Sequence, residues 1–145
     1  MFYKHTQIGN LVIATLVLLI LYFGFILTQA GFDQTILIIM ALILLLLASF
    51  STLTVEIDNQ NLKIKFGYGI FKKSFILSKI VSVKSVRNHW YYGWGIRYWF
   101  WPKMRIFNIS GFDAVEIKMV DNKIYRIGTD EPKKLEQVIL ENINI

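Results

Sequence analysis

The 145-residue sequence contains no cysteine, only two prolines and only two histidines. The lack of cysteine excludes disulfide bonds, thiolate metal sites and a cysteine nucleophile. His5 and His89 lie far apart, and no group of histidines and carboxylates has the spacing of a metal site or of a catalytic triad. We therefore predict a protein that is not an enzyme and that uses no cofactor, metal or small-molecule substrate.

Charged residues are also scarce, at 18% of the sequence, whereas apolar residues make up 54%. Soluble domains average about 25% charged and roughly 45–50% apolar residues. The imbalance is concentrated near the N-terminus, because Asp33 is the only charged residue between Ile8 and Leu53. This composition predicts a membrane segment at 1–53 followed by a water-soluble domain at 54–145.

Two apolar runs, at about 8–28 and 35–53, account for the membrane segment. A helix of about 20 residues rises roughly 30 Å, which is the thickness of the hydrocarbon core of a bilayer. The first run is longer than the roughly 7–15 apolar residues of a signal peptide, and a second run follows directly. We therefore predict two antiparallel spans that form a transmembrane hairpin.

Basic residues predict the orientation of this hairpin. Lys4 precedes the first span, Asp33 is the only charged residue between the spans, and fifteen basic residues follow Thr54. Because basic residues favour the cytoplasmic side, both termini are predicted to be cytoplasmic. The net charge of +6 resides entirely on 54–145, which indicates either attraction to anionic lipids or a generic basic surface.

Alternating apolar and polar residues, as in TVEID at 54–58 and LKIKF at 62–66, predict seven short strands after the hairpin. The sequence ends with an amphipathic helix, for which Thr129 or Asp130 is the predicted cap and Pro132 lies in the first turn. Seven antiparallel strands and one helix predict a mainly-β barrel of the pleckstrin-homology (PH) type, capped by the C-terminal helix. The predicted structural motif at the start of this helix comprises Gly128, Thr129, Asp130, Glu131 and Pro132.

Three segments, YYGWGIR (91–97), SGFDAVEI (110–117) and RIGTDEP (126–132), occur in this order. They resemble small bacterial membrane proteins that carry a PH-like domain behind a transmembrane hairpin. The resemblance implies a PH-like fold and a bacterial inner-membrane location, but no particular activity. Lipid-binding PH relatives use a basic loop between their first two strands, whereas the equivalent turn here, 58–61, has no Lys or Arg. Phosphoinositide binding is therefore not implied.

The segment HWYYGWGIRYWFWP, at 89–102, contains all four tryptophans. In one interpretation its rings cover the barrel, Gly93 and Gly95 allow positive φ, and Arg97 pairs with Asp130 or Glu131. In a second, YWFWP lies in the headgroup layer, which Trp and Tyr favour. In a third, exposed rings bind a partner.

In the membrane interpretation, Lys103 and Arg105 meet lipid phosphates. Nucleic acid is not a predicted partner, because a membrane tether and moderate basicity argue against single-strand binding. The predicted membrane or partner surface comprises Trp90, Tyr91, Tyr92, Trp94, Arg97, Tyr98, Trp99, Phe100, Trp101, Lys103 and Arg105.

These features predict a membrane-anchored interaction or scaffold module whose PH-like domain docks on the cytoplasmic membrane surface or on a membrane-protein partner. The lipid bilayer and such a protein are the predicted partners. The alternative is an accessory subunit of a larger inner-membrane complex, which the protein would contact through its hairpin helices.

Overall fold

The structure, a computed structural model, describes residues 2–92, 94–100 and 103–143. In these ranges it contains nine strands and three α-helices. In chain order they are β1 (Tyr3–Ile8), α1 (Asn10–Ala30), α2 (Gln34–Ala48), β2 (Thr52–Ile57), β3 (Asn61–Phe66), β4 (Phe71–Ile76), β5 (Ile80–Arg87), β6 (Gly95–Phe100), β7 (Lys103–Asn108), β8 (Asp113–Met119), β9 (Ile124–Gly128) and α3 (Pro132–Ile143). Two 3₁₀ turns lie at Leu77–Lys79 and Trp90–Tyr92.

The strands form two sheets, ordered β1-β2-β3-β4 and β5-β8-β9-β7-β6. All neighbours are antiparallel except β7 and β9. The mainly-β prediction and the predicted C-terminal helix are confirmed. The strand number is not seven, because β1 precedes the apolar runs and β6 lies inside the aromatic segment. The strands in the described ranges make two open sheets and not a closed barrel.

One hydrophobic core lies between the inner faces of the sheets and the apolar face of α3. Its fully buried members come from all three sources and include Ile57, Leu62, Ile117, Ile127 and Leu135. In β3 the buried residues alternate with exposed Lys63 and Lys65, and in β2 the exposed Glu56 lies between buried Val55 and Ile57, as expected for strands with one face in the core. The core therefore uses the period-two pattern of the sequence.

Helices α1 and α2 are inserted between two neighbouring strands of one sheet. Ile8, at the end of β1, lies opposite Thr52, at the start of β2. The Gly9 N–H then donates to the Ser51 carbonyl at 2.7 Å, so the chain leaves the sheet and returns to it at one point. The predicted second span, 35–53, is too long: α2 ends at Ala48, and Leu53 is buried in the core. Leu53 lies opposite Phe66 in β3. Its side chain is buried in the core of the domain, so the chain pairs as a strand here and does not continue α2.

The two helices contact each other and differ in length. Helix α1 has 21 residues, about 31 Å, and none of them is buried. It is long and apolar enough to cross a membrane. Helix α2 is apolar but has only 15 residues, about 22 Å. Asp33 caps α2, since its side chain accepts a hydrogen bond from the Ile36 N–H at 3.1 Å.

The turn between β3 and β4 packs against the end of α2. Gly67 has φ +52°, and a Cβ atom there would lie 2.6 Å from the Ser49 carbonyl oxygen. The Tyr68 hydroxyl donates to the Leu45 carbonyl, one turn up the helix. The Phe50 ring, just after α2, stacks on Phe71 with centroids 5.0 Å apart. These contacts fix the end of the helix to the four-stranded sheet.

We expect Gly67→Ala to destabilise the protein more than Gly111→Ala. Gly111 also has positive φ, +67°, but a Cβ atom there meets nothing within 4 Å, so that substitution costs only the left-handed backbone strain of about 1–2 kcal/mol. Gly67→Ala adds a clash with the Ser49 backbone that costs roughly a further 1–3 kcal/mol. Thermal unfolding of the two variants in detergent measures the difference. Equal losses would mean that the turn does not pack against α2.

Candidate functional site

The 3₁₀ turn of the aromatic segment packs on the outer face of the five-stranded sheet. Tyr92, only 7% exposed, packs on the fully buried Met104 and Ile106 of β7, and Trp99 and Ile124 complete this second apolar cluster. The ring centroids of Tyr92 and Trp99 are 4.8 Å apart. These contacts agree with the interpretation in which rings of the segment fold back onto the domain.

Arg126 on β9 connects this cluster to the rest of the sheet. Its guanidinium carbon lies 5.6 Å from the centroid of the Tyr92 ring, its Nε donates to Glu116 at 2.9 Å, and its Nη1 donates to Asn88 Oδ1 at 3.2 Å. The arginine and Glu116 side chains are only 16% and 14% exposed, so the ion pair is shielded from solvent. Sequence reasoning missed Arg126 because its partners come from two other segments, the connection that carries Asn88 and Tyr92 and the strand that carries Glu116.

Two rings remain on the surface beside this cluster, and we call them, with His89, the ring patch (His89, Trp90, Tyr91). Trp90 is 76% exposed and Tyr91 is 48% exposed. The His89 and Tyr91 rings stack at 4.9 Å, and Tyr91 lies 5.4 Å from the Trp99 ring. The buried Tyr92 fixes the 3₁₀ turn that carries Trp90 and Tyr91. The ring patch is therefore held rigidly on the five-stranded sheet.

The other members of the predicted surface lie in different places. Tyr98, Lys103 and Arg105 share a groove with Lys73 of β4. In β7 the exposed Lys103 and Arg105 alternate with the buried Met104 and Ile106, so the two basic residues lie on the opposite face from the second cluster. Phe100 ends β6. Trp101 and Gly93 lie outside the described residues. The single surface predicted from the sequence is therefore divided between two faces of the sheet.

The predicted pairing of Arg97 with Asp130 or Glu131 is wrong. The Arg97 Nε donates to the Trp94 carbonyl at 3.0 Å, across a turn that Gly95 permits with φ +92°. The Trp94 Nε1 donates to the Gly111 carbonyl at 3.3 Å. Asp130 and Glu131 instead contact residues of β1.

These contacts form a cluster of titratable groups between β1 and the start of α3. His5 Nε2 lies 2.5 Å from Asp130 Oδ1, and the Tyr3 hydroxyl donates to Glu131 Oε2 at 3.1 Å. Burial, and next the Glu131 carboxylate, raise the pKa of the Tyr3 hydroxyl well above its usual value. Lys134 Nζ lies 3.5 Å from Glu131. Sequence reasoning missed the cluster because His5 and Asp130 are 125 positions apart.

The cluster connects β1 to the start of α3 and is not arranged as a metal centre. In the parts of the chain that the structure describes, no group of three or more His, Asp and Glu residues is arranged to hold a metal ion. Thr129 Oγ1 accepts a hydrogen bond from the Glu131 N–H at 3.1 Å, and α3 then begins at Pro132. Gly128 has no room for a side chain, since a Cβ atom there would lie 2.1 Å from Asn108 Oδ1. Gly128 and Thr129 of the predicted motif thus have structural roles at the start of α3.

Comparison with known proteins identifies no family for the chain. No protein-family model matches it, and no curated protein or solved structure matches it. The resemblance to PH-like membrane proteins therefore stays a prediction, and the function has to be argued from the geometry.

We expect Tyr92→Ala to lower the free energy of unfolding strongly and Trp90→Ala to leave it almost unchanged. Removing the buried Tyr92 ring leaves a cavity and takes away the ring under Arg126, which costs about 3–5 kcal/mol of unfolding free energy. Removing the exposed Trp90 ring changes stability by less than about 0.5 kcal/mol. Denaturant unfolding of the full chain measures both. A large loss for Trp90→Ala would show that this ring packs on the protein.

Proposed function

We propose that this protein is a non-enzymatic, membrane-anchored interaction module, in which a two-helix transmembrane hairpin holds a mainly-β domain against the membrane surface. The insertion of α1 and α2 between the paired strands β1 and β2 is the observation that carries the proposal. Paired strands lie on the same side of a membrane. A chain that enters the bilayer after β1 therefore has to return to the same side before β2. Two helices, one in each direction, provide this return.

The exposed surface of the helices supports a lipid environment. Leu18, Leu21 and Phe25 of α1 are each more than 60% exposed, and no residue of this helix is buried. Soluble monomers rarely expose contiguous apolar patches larger than a few hundred Å², so a fully unburied apolar helix is typical of a lipid environment. Helix α2 is shorter than a bilayer core, and local thinning or tilting of the partner helix accommodates such a mismatch at modest cost.

The distribution of charge supports a cytoplasmic domain. Lys4 lies in β1 and therefore in the same body as the fifteen basic residues after Thr54. Asp33, at the start of α2, is the only charged residue at the opposite end of the helices. Because basic residues are retained on the cytoplasmic side, this arrangement favours a multi-pass protein of a bacterial inner membrane with both termini in the cytoplasm. The resemblance to bacterial PH-like membrane proteins favours the same location.

The ring patch supports an interaction with a protein partner. Exposed aromatic rings on a rigid support lose little conformational entropy on binding, and Trp and Tyr are enriched at the energetic centres of interfaces. Trp90 and Tyr91 have this environment, because the buried Tyr92 follows them in the same 3₁₀ turn. We therefore propose that the domain presents the ring patch to another protein at the membrane.

Single-cysteine labelling tests the topology, because the chain contains no native cysteine. We expect Phe32→Cys, between the helices, to react with a membrane-impermeant maleimide added to spheroplasts. Val120→Cys, in the exposed turn between β8 and β9, is expected to react only after lysis. Labelling of Val120→Cys in intact spheroplasts, or release of the protein by alkaline carbonate, would contradict the proposal.

The double variant Trp90→Ala/Tyr91→Ala tests the ring patch. We expect it to weaken binding of a protein that co-purifies with the full chain in mild detergent by about tenfold or more, since truncating a hot-spot residue costs about 2 kcal/mol or more. Tyr98→Ala, on the other face of β6, serves as the ring-matched control. Undiminished binding by the double variant would indicate contact through the helices, as in an accessory subunit.

A further inference from the structure

The outer face of the four-stranded sheet changes in polarity with distance from the helices. The residues there lie in rows across the strands, which the registers of β1 to β4 define. The row nearest the helices contains Ile8, Thr52 and, after the turn, Ile70. The next row contains Thr6, Thr54, Lys65 and Lys72, and the third contains Lys4, Glu56, Lys63 and Ser74. Among these three rows isoleucine occurs only in the first, whereas lysines occur in the second and third; at the far end of β4 the same face carries the exposed Ile76.

The apolar row lies beside the end of α2. Ile8, at the end of β1, and Ile70, in the turn before β4, are 55% and 62% exposed. Tyr68 lies in the same turn as Ile70, and its hydroxyl donates to the Leu45 carbonyl of α2. Tyrosine with an apolar ring and a polar end is enriched where hydrocarbon meets headgroups. This edge therefore has the side chains of a membrane boundary.

Lys65 and Lys72 lie directly opposite each other on β3 and β4. Like charges in this position destabilise a sheet. Their row continues with Thr54, whose hydroxyl lies 2.9 Å from that of Thr6, and no acidic residue stands in it. Across the described ranges the structure gives neither lysine an ion pair, whereas Lys63 in the next row bonds to Asp58 at 2.8 Å. Glu56 of the next row lines the same groove but forms no ion pair with either lysine in the described ranges. An anion bound between the two lysines would relieve their repulsion.

The position of the pair matches the depth of lipid phosphates. Lys65 lies two residues further from the helices than Gly67, about 7 Å along the strand. The headgroup layer of one leaflet is about 5–7 Å thick, as the difference between the full bilayer and its hydrocarbon core shows. A domain that meets the hydrocarbon at Ile8 and Ile70 therefore places both ammonium groups among the phosphates.

We propose that the outer face of the four-stranded sheet is a lipid-binding surface, in which Tyr68 and Ile70 lie at the hydrocarbon boundary and Lys65 and Lys72 together bind the phosphate of an anionic lipid headgroup. The inference rests on the proposed membrane hairpin and adds the side on which the domain faces the bilayer. It also replaces the prediction that YWFWP, Lys103 and Arg105 meet the membrane. Ile70 shares a groove with Ile96, Lys72 and Arg105, whereas Tyr98 and Lys103 share a second groove with Lys73, and Arg105 lines both.

The test uses the full chain, because a fragment that starts at Thr54 lacks β1 and so exposes the edge of β2. Single cysteines are introduced at Leu18, Ile70 and Tyr98, and nitroxide spin labels on them report relative access to oxygen and to a water-soluble nickel chelate in nanodiscs. We expect oxygen access to dominate at Leu18, an intermediate ratio at Ile70, and nickel access to dominate at Tyr98.

The charge requirement is tested by two double variants that remove the same charge, Lys65→Gln/Lys72→Gln and Lys103→Gln/Arg105→Gln. We compare thermal unfolding in nanodiscs of phosphatidylcholine alone and of phosphatidylcholine with phosphatidylglycerol. Anionic lipid is expected to raise the melting temperature of the unaltered protein by roughly 5 °C. The first variant should lose this shift and the second should keep it. Unfolding in phosphatidylcholine alone shows that both variants are folded.

Each result distinguishes this inference from the proposed function. If Leu18 reports lipid while Ile70 reports bulk water, or if only Lys103→Gln/Arg105→Gln abolishes the shift, the hairpin stands and the lipid-binding surface is wrong. If Leu18 itself reports water, the membrane hairpin fails, and the lipid-binding surface fails with it.

Discussion

Strands β1 and β2 are paired along their whole length, from Tyr3 opposite Ile57 to Ile8 opposite Thr52, although two helices separate them in sequence. The pairing closes a loop of more than forty residues, and the loss of chain entropy on closure grows only slowly with loop length. It is offset by ladder hydrogen bonds and by burial of Tyr3 at one end of the strand. Everything else about the position of the helices depends on this pairing, because it fixes both ends of the helical segment to one edge of the sheet.

The same constraint gives the domain a defined orientation relative to the helices. Gly9 and Ser51 are joined by a backbone hydrogen bond, and the turn at Gly67 fits against Ser49 without space for a side chain. The contacts of Tyr3 and His5 with Glu131 and Asp130 connect β1 to α3 as well. A domain connected through so many contacts differs from one on a flexible linker, because its orientation relative to α1 and α2 is fixed.

Part of this arrangement could be read from the sequence. Long apolar runs and the alternation in segments such as LKIKF reflect local burial, which the order of residues records directly. The amphipathic stripe of α3 is of the same kind. By contrast, β1 falls within the predicted membrane segment at 1–53, because six residues before an apolar run carry no strand signal until their partner strand is known. The aromatic segment was treated as one surface, because neighbouring rings cannot be assigned to opposite faces before the register of β6 and β7 is fixed.

Local patterns were sufficient to predict the apolar helices, the mainly-β composition of the domain and the uneven distribution of charge, because each follows from residues that are close together along the chain. The folded chain was needed to see that the helices are inserted in a sheet, that Tyr92 is buried over Ile106 while Trp90 is exposed, and that Lys65 opposes Lys72. These features depend on strand register and on contacts between distant segments. A register changes with a shift of a single residue, and the energy that selects it is spread over the whole core.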